Sequence, residues 1–479
     1  MKTNKYNSLI KDIILFALSR FIPKAIGFFL IPLYTSFLTT NEYGISDLIN
    51  TTATFFMPLF TLNIRDAVLR FTLDKKYDKK ESLNISLRII LFDLIILVIF
   101  TLIELNSKVF NINPLYLIFF DIILVANSIH DIFDAFCKGT DKISTIVAAS
   151  IANSIITLSL NILLIVVLKK GLLGFLIANS TGLIVADLIY LLHPKLYKYF
   201  SKKYSKKQAR EMVLYSFPMI FSAIAWWVNN SSDRYIISFI LGVSASGIYA
   251  VASKIPTIIS TIESIFMQAW SISAIKNFDK DDDDGFIGNM YTIMSCILTI
   301  LCSFIILFNM IISKIMFSGD FYIAWKFAPG LVFSVMIDGI ALFIGNLLFA
   351  VKDTKSRAKI TILGAIVNTI LNIILINTIG VYGAVIATMV GYTVGFIYSR
   401  IIIKKHIKMK TNMKLNDSVL LLLVVQVILA YYGNKYILLQ IPITITIIIL
   451  YRKYIFKIIL KLVQGIKTKI VKSNNVLQQ

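Results

Sequence analysis

Two cations four residues apart, Arg20 and Lys24, lie inside one long apolar run, LSRFIPKAIGFFLIPLYT (18–35). At the centre of a membrane helix each costs about 2.5–3.5 kcal/mol to insert, so it persists there only by facing water, a ligand or a carboxylate. At this spacing both project from nearly one face. Two readings stand: the face borders a wet cavity that can receive an anion, or buried salt bridges to neighbouring helices hold the pair. Pro23 and Pro32 remove backbone donors from the same helix and predict a kink, either static or used as a cavity opens.

A second polar set lies in GIYAVASKIPTIISTIESIFMQAW (247–270), where Lys254, Thr257, Thr261, Ser264 and Gln268 recur at spacings of three and four. That is one stripe on one helix face, beside Pro256, and it predicts either a water-lined wall or helix–helix contact. Just upstream, WWVNNSSDRYIISFILG (226–242) is unusually polar. Its neighbours Asp233 and Arg234 project about 100° apart and are predicted to find different partners. Arg234 serves either as a second contact for an anion or as an interhelical salt bridge. Asp233, Glu263 and Asp338 are candidates for a coupling cation, Na+ or H+, or else neutralise the basic set. Asp93, Asp121 and Asp187 belong to the same class. Arg70 and Arg88, near span ends, can snorkel to the surface, and Arg65 does so with more difficulty.

Other chemistries lack their residues. Three cysteines (Cys137, Cys296, Cys302) and three histidines (His130, His193, His406) show no metal-ligand spacing, and no phosphate-binding loop of the G-x-x-x-x-G-K type occurs. Neither a metal nor another cofactor is expected. The acidic run KDDDDG (280–285) fails as a calcium loop: the register places Lys280 first and Tyr291 twelfth. It is expected to be a solvated loop.

The elements carrying these residues follow from composition. Of 479 residues, 57% are hydrophobic and 15% charged, too little polarity to cover a soluble protein of this size. At roughly 20 residues per crossing, spans are predicted near 9–38, 44–72, 83–104, 112–137, 144–168, 171–192, 211–241, 245–272, 288–313, 328–351, 358–377, 380–403, 416–432 and 436–451. The expectation is an all-α polytopic membrane protein with about 14 transmembrane helices and a retained first span. With the N-terminus inside, the outer loops hold six basic residues, Lys108, Lys169, Lys170, Lys314, Lys326 and Lys435, and most of the 48 Lys and Arg fall inside. The net charge of +22 is therefore a topology signal that places both termini in the cytoplasm, and nucleic acid is not expected as a partner. The basic connection HPKLYKYFSKKYSKKQAREM (193–212) and the tail YRKYIFKIILKLVQGIKTKIVK (451–472) are expected to lie along anionic headgroups.

The two halves repeat each other. LTTNEYGI (38–45) and LGVSASGI (241–248) share Leu, Gly and Ile at an offset of 203. GLLGFLIANSTG (171–182) and GVYGAVIATMVG (380–391) share their glycines and an alanine at an offset of 209, and NILLI (161–165) precedes one as NIILI (372–376) precedes the other, displaced by two residues. Duplication predicts an N-terminal six-helix lobe at 1–192, a basic cytoplasmic linker at 193–210, and a C-terminal six-helix lobe at 211–405. Two additional helices at 406–451 and a basic tail at 452–479 complete the chain. Six spans per half insert both lobes with the same orientation, leaving a substrate path between them.

The stretch DRYIISFILGVSASGIYAVASK (233–254) resembles the Asp-Arg…Gly…Gly-Ile-Tyr…Ala-x-Lys signature of the polysaccharide biosynthesis and O-antigen flippase family. That family belongs to the multidrug/oligosaccharidyl-lipid/polysaccharide exporter superfamily. The segment 31–50, with Tyr43, Gly44 and Ile45, is similar to its opening motif, and the likeness covers roughly the first 410 residues. The resemblance implies two pseudo-symmetric six-helix lobes around a central cavity that moves lipid-linked oligosaccharide across the bacterial cytoplasmic membrane by alternating access. By the same analogy Arg20, Lys24, Arg234 and Lys254, with Thr257 and Thr261, become substrate-binding candidates for a polyprenyl (pyro)phosphate sugar. Guanidinium and ammonium groups in a wet cleft replace the water a diphosphate loses. The implied partners are that substrate and membrane lipids, and the protein is expected to be a monomer and not an enzyme. A multidrug cation antiporter shares the architecture but favours a cavity rich in carboxylates. A membrane glycan polymerase or glycosyltransferase needs a larger extramembrane segment than the longest outer connection, about 314–327, provides.

Overall fold

The computed structural model describes residues 22–108, 112–193, 195–201 and 204–456. Hydrocarbon offers no partner to a backbone amide, so a chain this apolar closes its hydrogen bonds within helices, and no strand occurs among the described residues. In chain order the helices are α1 (Ile22–Phe37), α2 (Thr40–Phe60), α3 (Ile64–Leu73), α4 (Lys79–Ser107), α5 (Pro114–Gly139), α6 (Ile143–Val167), α7 (Gly171–Leu192) and α8 (Lys206–Leu241). There follow α9 (Val243–Ala252), α10 (Thr257–Lys276), α11 (Phe286–Leu307), α12 (Asn309–Met316), α13 (Ala328–Ala350), α14 (Thr354–Ile379), α15 (Val381–Ile403), α16 (Met413–Ala430) and α17 (Ile437–Phe456). Eleven of them are long and apolar enough to cross a membrane, or twelve if α9 and α10 form one broken span. The fold is all-α and polytopic as expected, and the spans among the described residues are roughly consistent with about 14, part of the expected first span lying outside them.

Two expected spans are interrupted, each for a local reason. The span 44–72 divides into α2 and α3 because Leu62 and Asn63 take left-handed φ values of 51° and 49°, a conformation that ends a helix. The span 245–272 breaks at 253–256, where Pro256 supplies no amide donor. Pro32 likewise supplies no amide donor in α1, although Leu30 just ahead of it keeps its bonds to Ile26 and Tyr34.

The chain forms two compact units. The first is the described part of Met1–Ala250 with Phe317–Asp320, and the second that of Val251–Met316 with Phe321–Gln479. The boundary thus falls later than the expected linker at 193–210, because α8 packs on α2 and α3. In the first unit Ile64, Val68, Leu83, Ile132, Phe136 and Tyr190 form the centre of a buried core. In the second, α13 is the hub, packed by α10, α11, α15 and α16. Trp270 stacks on Phe343 there at 4.1 Å and donates its indole N–H to the Phe343 carbonyl at 3.2 Å.

The repeat is visible in the packing. In the first unit Gly174 lets α7 approach the Leu164 backbone, and in the second Gly383 lets α15 approach the Leu375 backbone. Likewise Gly182 faces Asn153 and Thr157, while Gly391 faces Asn368. Leu164 and Leu375, like Thr157 and Asn368, correspond under the two-residue displacement seen in the sequence.

Candidate functional site

The two copies of the eight-residue motif meet inside the first unit. A Cβ on Gly44 of α2 would stand 2.3 Å from the Val243 carbonyl oxygen, and one on Gly247 of α9 would stand 2.1 Å from the Thr40 carbonyl oxygen. Only glycine permits so close a crossing. The contact is reciprocal, since Thr40 and Gly44 are the 203-residue counterparts of Val243 and Gly247. Thr39 and Glu42 form a capping box that starts α2 at this place, and Glu42 also accepts the Leu172 amide at 3.1 Å.

Below this crossing α8 is tied to α2 along its length. Arg234 lies 3.2 Å from Asp47, Nε to Oδ2, an ion pair set off the hydrogen-bond axis. Tyr249 of α9 donates its hydroxyl to Asp233 at 2.8 Å, and Ser246 donates to the Arg234 carbonyl at 3.0 Å. Tyr235 and Thr52 share a hydroxyl hydrogen bond, and the Trp227 indole donates to the Thr51 carbonyl at 2.9 Å. Asp233 and Arg234 therefore do have different partners, and the interhelical salt bridge is the arrangement found for Arg234. Its anchor, Asp47, was not singled out in the sequence, although a buried arginine beside a polar helix start called for one.

Lys24 is exposed on α1, and Arg20 lies outside the described residues. In the second unit Lys254 is half-buried at the break before α10, Thr257 and Gln268 are exposed, and Thr261 and Ser264 are half-buried. The hydroxyls of this stripe are spent locally: Thr257 donates to the Lys254 carbonyl at 2.5 Å, Thr261 to Thr257 at 2.7 Å and Ser264 to Thr261 at 2.8 Å. Each oxygen keeps lone pairs for a ligand or water. Glu263 is buried with a carboxylate oxygen close to Gly339, the neighbour of Asp338. Arg357 is an electrostatic neighbour of Asp338 and stacks on Phe349 at 3.9 Å. Asp233, held by Tyr249, lies in the first unit, whereas Glu263 and Asp338 both lie in the second.

Further charges pair within the first unit. Arg65 bonds Asp131 at 3.0 Å. His130 meets Asp187 at 3.1 Å, and Asp134 holds both Lys138 and, at 3.5 Å, the Tyr190 hydroxyl. The spacing of Asp134 and Lys138, one turn apart on a helix, was a signal available in the sequence. Asp121 accepts from Thr101 at 2.6 Å.

The acidic run departs from expectation in one respect. Asp282 is fully buried and accepts the amides of Ile287, Gly288 and Lys410. It starts α11 and pins the 408–410 segment, which is a capping role. Backbone hydrogen bonds from Asp283 and Asp281 hold the exposed Asp279 carboxyl below its ordinary pKa. The three cysteines are free and buried, and no cluster of metal-ligating side chains occurs among the described residues.

A polysaccharide biosynthesis protein family model matches residues 9–271, more than half of the chain. The chain belongs to that family. A second family model, lipid II flippase MurJ, matches residues 322–451 of the chain. It is 30% identical over 199 residues to the probable low-salt glycan biosynthesis flippase Agl15 of Haloferax volcanii, a match covering 40% of this chain and 42% of that protein. It is 23% identical over 425 residues to an uncharacterized membrane protein, MJ1375, of Methanocaldococcus jannaschii, covering 84% of this chain and all of that one. Among solved structures, lipid II flippase MurJ in an inward closed conformation superposes with a TM-score of 0.62 at 16% identity, covering 92% of this chain and 100% of that one. An inward-facing multidrug resistance MATE family transporter of the MOP superfamily gives 0.60 at 13% identity, covering 81% and 98%. These likenesses show the fold, an all-helical multi-pass membrane architecture.

Proposed function

We propose that this family member flips a polyprenyl-phosphate- or polyprenyl-diphosphate-linked oligosaccharide across the cytoplasmic membrane for surface-glycan synthesis. One observation carries the reading: the four candidate phosphate-binding cations, Arg20, Lys24, Arg234 and Lys254, lie within the stretch that matches the polysaccharide biosynthesis model. The glycan travels in a polar path, the isoprenoid stays in lipid, and no covalent bond changes. Arg20, Lys24 and Lys254 receive the phosphate, with Thr257 and Thr261 beside them. Arg234 joins only when its pairing with Asp47 is exchanged for the substrate anion. Na+ or H+ binding at Glu263 or Asp338 supplies the coupling, and both termini lie on the basic, cytoplasmic side. The protein acts as a monomer in a bacterial inner membrane.

The test is flipping of a fluorescent polyprenyl-diphosphate sugar in proteoliposomes, read by an impermeant quencher. The wild-type chain is expected to expose the internal pool, and the Arg20→Ala/Lys24→Ala double variant to do so at least tenfold more slowly while inserting normally. Equal rates for the two proteins would refute the cation assignment. Uptake of a cationic dye in place of the lipid would favour the multidrug antiporter, which the buried Glu263 would suit.

A further inference from the structure

A groove of about 920 Å³ opens on the flank of the first unit, between α2, α4 and α8. Its walls are Phe56, Phe60, Ile89, Phe92, Val213 and Leu214, with further aliphatic side chains. At one end stand Arg88, Lys206 and Arg210 with Tyr204. Arg88 lies over the Tyr204 ring at 4.7 Å, and neither Lys206 nor Arg210 joins an ion pair among the described residues. None of the residues expected to meet the oligosaccharide lines it.

We infer that this groove binds one anionic glycerophospholipid from the leaflet on the basic side of the membrane. Charge and length both select that occupant. Three cations at one end of an otherwise apolar trough match a single phosphate headgroup above acyl chains, the arrangement by which basic pockets between membrane helices hold anionic lipids. Along α4 the lining runs from Ile85 to Ile96, about 16 Å at 1.5 Å per residue. That is roughly half of a hydrocarbon core about 30 Å thick, so the trough is one leaflet deep. A diacyl lipid fills that depth, whereas a long polyprenyl chain overruns it. Asp93 borders the same groove, one oxygen enclosed without a hydrogen-bond partner, five residues beyond Arg88 and about 7.5 Å further along the helix. It sets a lower limit to where the phosphate sits, because a carboxylate repels it.

Native mass spectrometry of the purified full chain tests this, with phosphatidylglycerol, phosphatidylcholine and a polyprenyl phosphate titrated separately. Phosphatidylglycerol is expected to bind preferentially. Arg88→Gln and Arg210→Gln are each expected to weaken it about fivefold, the scale of one cation near an anionic headgroup. Asp93→Asn is expected to tighten it, a gain that misfolding cannot mimic. Lys404→Gln/Lys405→Gln, a basic pair that does not line the groove, is expected to change nothing. Equal binding of phosphatidylcholine, preferential binding of the polyprenyl phosphate, or equal losses in the Lys404→Gln/Lys405→Gln variant would each overturn the assignment.

Discussion

The α2–α9 crossing gives the sharpest test of the structure. In Gly247→Ala the new Cβ would begin 2.1 Å from the Thr40 carbonyl oxygen, against an ordinary contact of 3.4 Å or more. A carbonyl within a helix cannot rotate away, so the two helices must part by roughly 1 Å. Overpacking of this kind costs about 1–3 kcal/mol. At 1.4 kcal/mol per factor of ten, the closed crossing should lose about five- to hundredfold in population. Ser46, two residues beyond Gly44 on α2 and 1% exposed, reports on it. In the purified chain carrying Ser46→Cys, a hydrophilic maleimide reacts only through opened states, so its rate follows their population. Gly247→Ala and Gly44→Ala should accelerate labelling by that factor, while Gly27→Ala, whose Cβ would meet nothing within 4 Å, should not. Unchanged labelling in both crossing variants would mean that the helices do not approach as described.

Three more expectations follow from other contacts. Arg234→Gln leaves Asp47 without its cation and should lower stability by about 3–5 kcal/mol, whereas Arg234→Met/Asp47→Leu should recover most of the loss in a thermal unfolding assay. Trp270→Ala removes the stack on Phe343 and should cost about 3–5 kcal/mol, seen as an earlier unfolding transition. The Asp353 carboxyl, outside the spans, is held below its ordinary pKa by hydrogen bonds from Ser356 and by His406. Its contribution is therefore whole above about pH 4 and is lost as pH falls further; Asp353→Asn should flatten that acid limb of the stability profile.

The helical, multi-spanning fold was legible because hydrophobic runs of span length admit few other structures. The breaks were not, since left-handed φ at Leu62 and Asn63 is a property of two residues in an otherwise continuous run. The repeat was legible as glycines at fixed offsets, but its use was hidden. Nothing in the spacing of Gly44 and Gly247 announces that the copies touch. Charges divided the same way. The different partners of Asp233 and Arg234 followed from one step along a helix, yet Asp47 as the partner required a contact between distant segments. The expected stripe did not foresee the break at 253–256, which sets Lys254 ahead of α10, and the donation of its hydroxyls to its own backbone depends on rotamers that spacing does not encode.

The reciprocal crossing has a consequence for ancestry and for engineering. A patch that meets its own copy, residue for residue, is what an isologous dimer presents, so this polypeptide carries within itself an interface of homodimer type. A half-length ancestor would have needed a mate to bury it. In the fused chain the two glycines can no longer change together in one mutation, and any drift at either copy is felt at once by the other.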